Sequence, residues 1–75
     1  MNKQRKENIS RIRVMLKMAQ EELEKVLDEE QEDFDNKSEA FQESERGEAM
    51  QEDIDNVESA SGLLDDVIDC LDEVL

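Results

Sequence analysis

The chain has no proline, tryptophan, tyrosine or histidine, a single cysteine, two glycines and only Phe34 and Phe41 as aromatics. Each shortage closes a route. A lone Cys70 forms no internal disulfide, and without histidine one thiol cannot close a zinc site. A free thiol suits a reducing compartment, so the expected location is the cytoplasm. No apolar run approaches the ~20 residues of a membrane span, so no membrane partner is expected. Ser10, Arg11 and Arg13 interrupt Ile9, Ile12 and Val14 to Leu16, which leaves no apolar h-region for a secretory leader. A chain of 75 residues is also short of core, since one of this size buries only about 60% of its unfolded surface. Packed helices or self-association must supply what disulfides and metals do not.

Charge is abundant instead. The acids number 23 against 9 bases, a net −14. Their distribution is lopsided. Within residues 1–18, Lys3, Arg5, Lys6, Arg11, Arg13 and Lys17 meet only Glu7, a local +5. From Val26 to Leu75, Lys37 and Arg46 meet 19 carboxylates, a local −17.

Charge at this density accompanies either disorder or long amphipathic helices, and periodicity decides. Ile9, Ile12, Leu16, Ala19, Leu23 and Val26 follow at spacings of 3, 4, 3, 4 and 3, an a/d seam. Met15 and Leu27 widen it on either side. Met50, Ile54, Val57, Ser61, Leu64, Ile68, Leu71 and Leu75 repeat the pattern, with Ala60, Val67 and Val74 in a parallel row. The expected fold is all-α: one domain over 1–75, an antiparallel two-helix hairpin with helices at about 3–35 and 44–74 and a turn at 36–43. Phe34 is the last anchor of the first helix. Asn36 and Ser38 favour a turn, SEAFQE reads as one short helical turn, and Phe41 is placed over the hairpin end. Ser44 is the N-cap candidate of the second helix, with Glu45 and Glu48 in its first turn. Gly47 weakens that turn, and Gly62 either admits a close helix approach or marks a bend.

Two charge misplacements argue for the antiparallel arrangement. Lys3, Arg5 and Lys6 open one helix, while Asp65, Asp66, Asp69, Asp72 and Glu73 close the other. Both oppose the helix macrodipole, and an antiparallel hairpin lets the clusters offset each other. A hairpin covers only part of each stripe and leaves Met15, Leu27, Ala60, Val67 and Val74 to be buried when two hairpins pair. The stripe of Leu16, Leu23, Val57, Leu64, Ile68 and Leu71 is therefore expected to serve both core and homodimer, two hairpins closing a four-helix bundle.

Catalysis finds little support. A calcium loop starting at Asp33 would put Lys37 fifth and Ser38 sixth, and one starting at Asp53 puts Val57 fifth; both break the EF-hand pattern. A di-iron bundle needs Glu-x-x-His pairs, and acid–base chemistry needs a carboxyl in an apolar pocket. No metal, cofactor or enzyme activity is expected. Gly47 and Gly62 are isolated and make no phosphate loop. Cys70 as a nucleophile would need a base and positive surroundings, and Asp69 and Asp72 supply neither. It reads as a small half-buried hydrophobe, or as an intersubunit disulfide on oxidation. Direct nucleic-acid binding by the basic start is opposed by the −17 remainder and the lack of interleaved aromatics.

The acidic surface is the remaining signal. Carboxylates four residues apart on a helix stand about 6 Å apart, near the phosphate spacing of a nucleic-acid strand. Glu29–Asp33, Glu39–Glu43, Glu48–Glu52 and Asp65–Asp69 repeat this spacing. Acid rows also serve plain solubility.

Asp28-Glu29-Glu30-Gln31, Phe34-Asp35-Asn36, Gln42 to Glu48 (QESERGE) and Ile54-Asp55-Asn56 resemble a family of small acidic proteins of phages and mobile elements in Gram-positive bacteria. The resemblance spans Asp28 to Ala60. The family often has Pro near Ser38, which is missing here. The resemblance implies a habitat and no particular chemistry. As a class, small acidic phage proteins resemble anti-CRISPR and anti-restriction inhibitors that mimic nucleic acid.

The expected function is therefore a non-catalytic inhibitor that binds a basic host protein, such as a nucleic-acid-binding defence enzyme. Glu29, Glu30, Glu32, Asp33, Asp35, Glu39 and Glu43 are its partner-binding residues. The alternative is a small helical scaffold of a mobile element, binding through its apolar stripe.

Overall fold

Three helices account for the chain, and each begins at a side-chain cap. Asn2, in extended conformation, accepts from the Arg5 N–H at 2.8 Å and starts α1, Lys3–Asp35. Ser38 accepts from the Phe41 N–H and starts α2, Glu39–Gln42. Ser44 accepts from the Gly47 N–H at 3.2 Å and starts α3, Glu45–Val74. Such caps satisfy amide donors that have no partner within the helix. The computed structural model describes all 75 residues and contains no strand.

α1 ends in a tightened turn: Asn36 donates its N–H to the Glu32 carbonyl at 3.0 Å, and Lys37 donates to the Phe34 carbonyl at 3.1 Å. The Gln42 side chain then ties the connection together, donating to the Phe34 and Lys37 carbonyls at 3.0 and 3.2 Å. At the start of α3, Gly47 is buried where a Cβ would overlap the Phe41 and Gln42 carbonyl groups. This glycine is the point at which α2 folds down onto α3. Gly62 behaves differently: nothing lies within 4 Å of where its Cβ would be, so no close helix approach depends on it.

α1 and α3 pack antiparallel. Arg13 meets Asp72, Gln20 meets Ser61 and Asp65, and Val26 and Leu27 share a pocket with Ile54 and Val57. The result is a rod of 57 × 15 × 12 Å. Only Ile54 and Ile68 are fully buried apolar side chains. Met50, Val57, Leu64 and Leu71 are half-buried around them, as the α3 seam predicts, while Leu75 is exposed.

The α1 seam differs from the expected one. Ile9, Leu16 and Leu23 are half-buried, but Ile12, Ala19 and Val26 are exposed. Arg13, Gln20 and Leu27 take the inward places, so the packed row runs 9, 13, 16, 20, 23, 27. Both rows share three residues and alternate threes and fours in opposite phase. Burial of Leu27 and Phe34 selects between them: these are seven residues apart, whereas seven beyond Val26 lies the acid Asp33. Gln20 fits because it faces the small Ser61. It is 2% exposed, and its amide donates to the Ser61 carbonyl at 3.1 Å and to Asp65 at 2.6 Å. A buried amide is tolerated when so bonded.

Candidate interaction surfaces

The antiparallel pairing divides the rod into ends of unequal charge. The turn end, residues 28–55, holds 13 acids against Lys37 and Arg46, a net −11. The open end joins the +5 of residues 1–18 to the five acids of residues 65–75, a net of zero. Lys37 is occupied locally, lying over the Phe41 ring at 5.3 Å.

The acids at the turn end have no cationic partner, though Asp35 and Asp55 accept from the Gln31 and Gln51 amides one turn before them. Glu29, Glu32, Asp33, Asp35, Glu39 and Glu43 are all exposed and form no ion pair. The first four ride on the last turns of α1, and Glu39 and Glu43 on α2 and its C-cap. Glu30 departs from the group: it is half-buried and turned toward α3. With Asp53 it rims a pocket of about 220 Å³ floored by Val26, Leu27, Ile54 and Val57. All of the acid pairs at phosphate-like spacing, Asp65–Asp69 included, are exposed.

The open end carries one ion pair only. The Arg13 guanidinium donates to both carboxylate oxygens of Asp72, through Nε to one and through a terminal nitrogen at 3.3 Å to the other. That hydrogen bond, with the charges of Asp72 and Asp69, holds Arg13 above its ordinary pKa. Lys3, Arg5 and Lys6 pair with none of Asp65, Asp66, Asp69, Asp72 and Glu73, contrary to the expectation. The reason is length. With Arg13 level with Asp72, one helical residue per 1.5 Å sets the end of α3, Val74 and Leu75, beside residues 10–11. The first turns of α1 overhang as a free basic tip.

The two flanks of the hairpin differ as well. At about 100° of rotation per residue, Arg13 and Gln20 lie on one side of the Ile9–Leu16–Leu23 row. Asp65 and Asp72 lie on the matching side of the α3 seam, and the hydrogen bonds join them across one flank. Ile12, Met15, Ala19 and Val26 lie on the other side of α1, and Leu63 and Val67 on the other side of α3. There Ile12 is 43%, Met15 55%, Val26 51%, Leu63 64% and Val67 43% exposed. Ala60 is exposed beside them. One flank is thus sealed by polar bonds and the other is apolar and open.

Leu16, Leu23, Val57, Leu64, Ile68 and Leu71 all lie between the two helices of one chain. They are intrachain core, and the open flank is the apolar surface that the hairpin itself leaves uncovered. Cys70 is exposed rather than half-buried, because at about 200° from the buried Ile68 it stands on the outer face of α3, away from the seam. Leu63 escapes the sequence pattern because it sits one residue before a better seam position, Leu64. Asp53 escapes because its role comes from Glu30 across the pocket. No group of three or more metal-ligating side chains converges anywhere on the surface, and no helix is long and apolar enough to cross a membrane. Comparison with family models, curated proteins and solved structures finds no match.

Proposed function

We propose that this chain is a non-catalytic binding protein whose acidic turn end occupies a basic, nucleic-acid-binding surface of another protein. The observation that carries this reading is the turn end itself: 13 carboxylates on 28 residues, opposed by two cations and engaged in no ion pair. Unpaired acid at this density raises self-repulsion without stabilising the fold. A basic cleft offsets it. The exposed Glu29–Asp33 and Glu48–Glu52 pairs sit at phosphate-like separation on adjacent helices, and a rod of two helices, each about 10–12 Å in diameter with side chains, is narrow enough for a groove that holds nucleic acid. The chain would act as an inhibitor of the anti-CRISPR or anti-restriction type, and the motif resemblance over Asp28–Ala60 agrees with a phage or mobile-element habitat.

The open apolar flank favours a second reading, a scaffold that joins copies or partners through that flank. Salt separates the two. Capture of a host protein from Gram-positive lysate on the immobilised chain should be strong at about 50 mM salt and mostly lost at about 500 mM, as the screening length shrinks. Duplex DNA or RNA should displace the captured protein. Capture that ignores both salt and nucleic acid would contradict mimicry and favour the scaffold.

A further inference from the structure

We propose that a second copy of this chain docks antiparallel on the apolar flank, bringing its Arg5 to the mouth of the Val26–Val57 pocket. The inference rests on the homodimer expectation and adds to it the surface, direction and register. The rod exposes 5753 Å² for 8.7 kDa, whereas a compact protein of that mass exposes about 4700 Å². The excess is roughly 1000 Å², comparable with the ~800 Å² that each partner contributes to a standard interface. The open flank is where that excess is apolar.

Charge sets the direction. Two copies stacked with their turn ends together would place −11 against −11. Antiparallel stacking instead lays each turn end beside the other copy's basic overhang. The flank on α1 runs from Ile12 to Val26, with its midpoint at Ala19. Overlap about that midpoint, at 1.5 Å per residue, brings Arg5 level with Asp33 of the second copy and Lys6 level with Glu32. Arg5 lies toward the open flank on the helical wheel, as do Glu30 and Asp33.

The pocket's rim fits this visitor. In this register Arg5 stands three residues, about 4.5 Å, beyond Glu30, so its cationic head meets the rim of Glu30 and Asp53, while the Val26 floor lies level with Ile12 of the second copy. The docked pair covers part of the acidic turn, so self-association and capture of a basic partner compete.

Spin labels on a Cys70→Ser background test the register, with sedimentation to follow the dimer. Labels at Asn36→Cys in both copies should lie about 50 Å apart, while mixed copies labelled at Gln4→Cys and Asn36→Cys should lie within about 20 Å. Arg5→Glu should weaken dimerisation about tenfold or more, because each contact occurs twice in a two-fold pair. Adding Glu30→Lys and Asp53→Lys should recover most of the loss. A dimer whose Asn36 labels lie within about 20 Å of each other overturns the antiparallel register alone. An unchanged dissociation constant in Arg5→Glu overturns the pocket contact. A chain that stays monomeric to millimolar concentration overturns the dimer as well, and leaves the acidic-end reading to its own salt test.

Discussion

The two glycines share α3 but not their surroundings, and the difference fixes the sign of substitution. Alanine is favoured over glycine in a helix interior by up to ~1 kcal/mol. At Gly62, where an added methyl would have no neighbour within 4 Å, Gly62→Ala should stabilise by roughly that amount. At Gly47 the added methyl meets the backbone of Phe41 and Gln42, which cannot swing aside as a side chain does. Gly47→Ala should instead destabilise by about 1–3 kcal/mol. Opposite shifts in thermal midpoint check the pair. Gln20 makes a third residue-scale case. Gln20→Ala removes a buried amide and leaves a void, and should cost about 1–2 kcal/mol, roughly 5–15 °C in a domain of this size. A midpoint unchanged in Gln20→Ala would show the amide to be idle.

At the scale of the elements, the helices are separated by which rows they bury. Ile68→Ala empties a site that is 4% exposed and should cost about 2–4 kcal/mol. Ile12→Ala and Val26→Ala, on the open flank, should change monomer stability by less than about 1 kcal/mol, measured by denaturant unfolding of dilute protein. Equal losses at all three positions would restore the row that the structure displaces. Both long helices were legible in the sequence because their seams repeat over many turns and because Ser44 and Asn36 mark ends. The α3 seam carries one apolar residue at nearly every step, which leaves a single choice of face. The α1 seam was legible only as a helix, since Ile9, Leu16 and Leu23 belong equally to two rows. The contact that seats the chosen row, Gln20 against Ser61, pairs polar groups that a hydrophobic pattern passes over. The acidic cluster was legible as composition, but the inward turn of Glu30 and the share of Asp53 in the same pocket depend on α3 lying alongside. The overhang of Lys3, Arg5 and Lys6 follows from the relative lengths and offset of α1 and α3, which no local pattern encodes.

The whole molecule carries two opposed electrostatic responses. Copies of net charge −14 repel one another, so screening should tighten apolar self-association as salt rises. The same screening should weaken capture of a basic partner. Opposite salt slopes for the two equilibria, read by sedimentation and by binding, are therefore expected; slopes of the same sign would mean that the Arg5 and Lys6 contacts outweigh the net repulsion between copies. The acidic end as the partner-binding surface is the central claim, and charge reversal tests it most directly. Glu29→Lys, Asp33→Lys and Asp35→Lys together change the turn end by six units at three exposed positions, which lie outside both seams. The measurement is the association rate with the captured host protein, at low salt and with the chain dilute enough to be monomeric. The account predicts a helical, folded variant whose association rate falls by about one to three orders of magnitude. A folded variant that associates at the wild-type rate would contradict it.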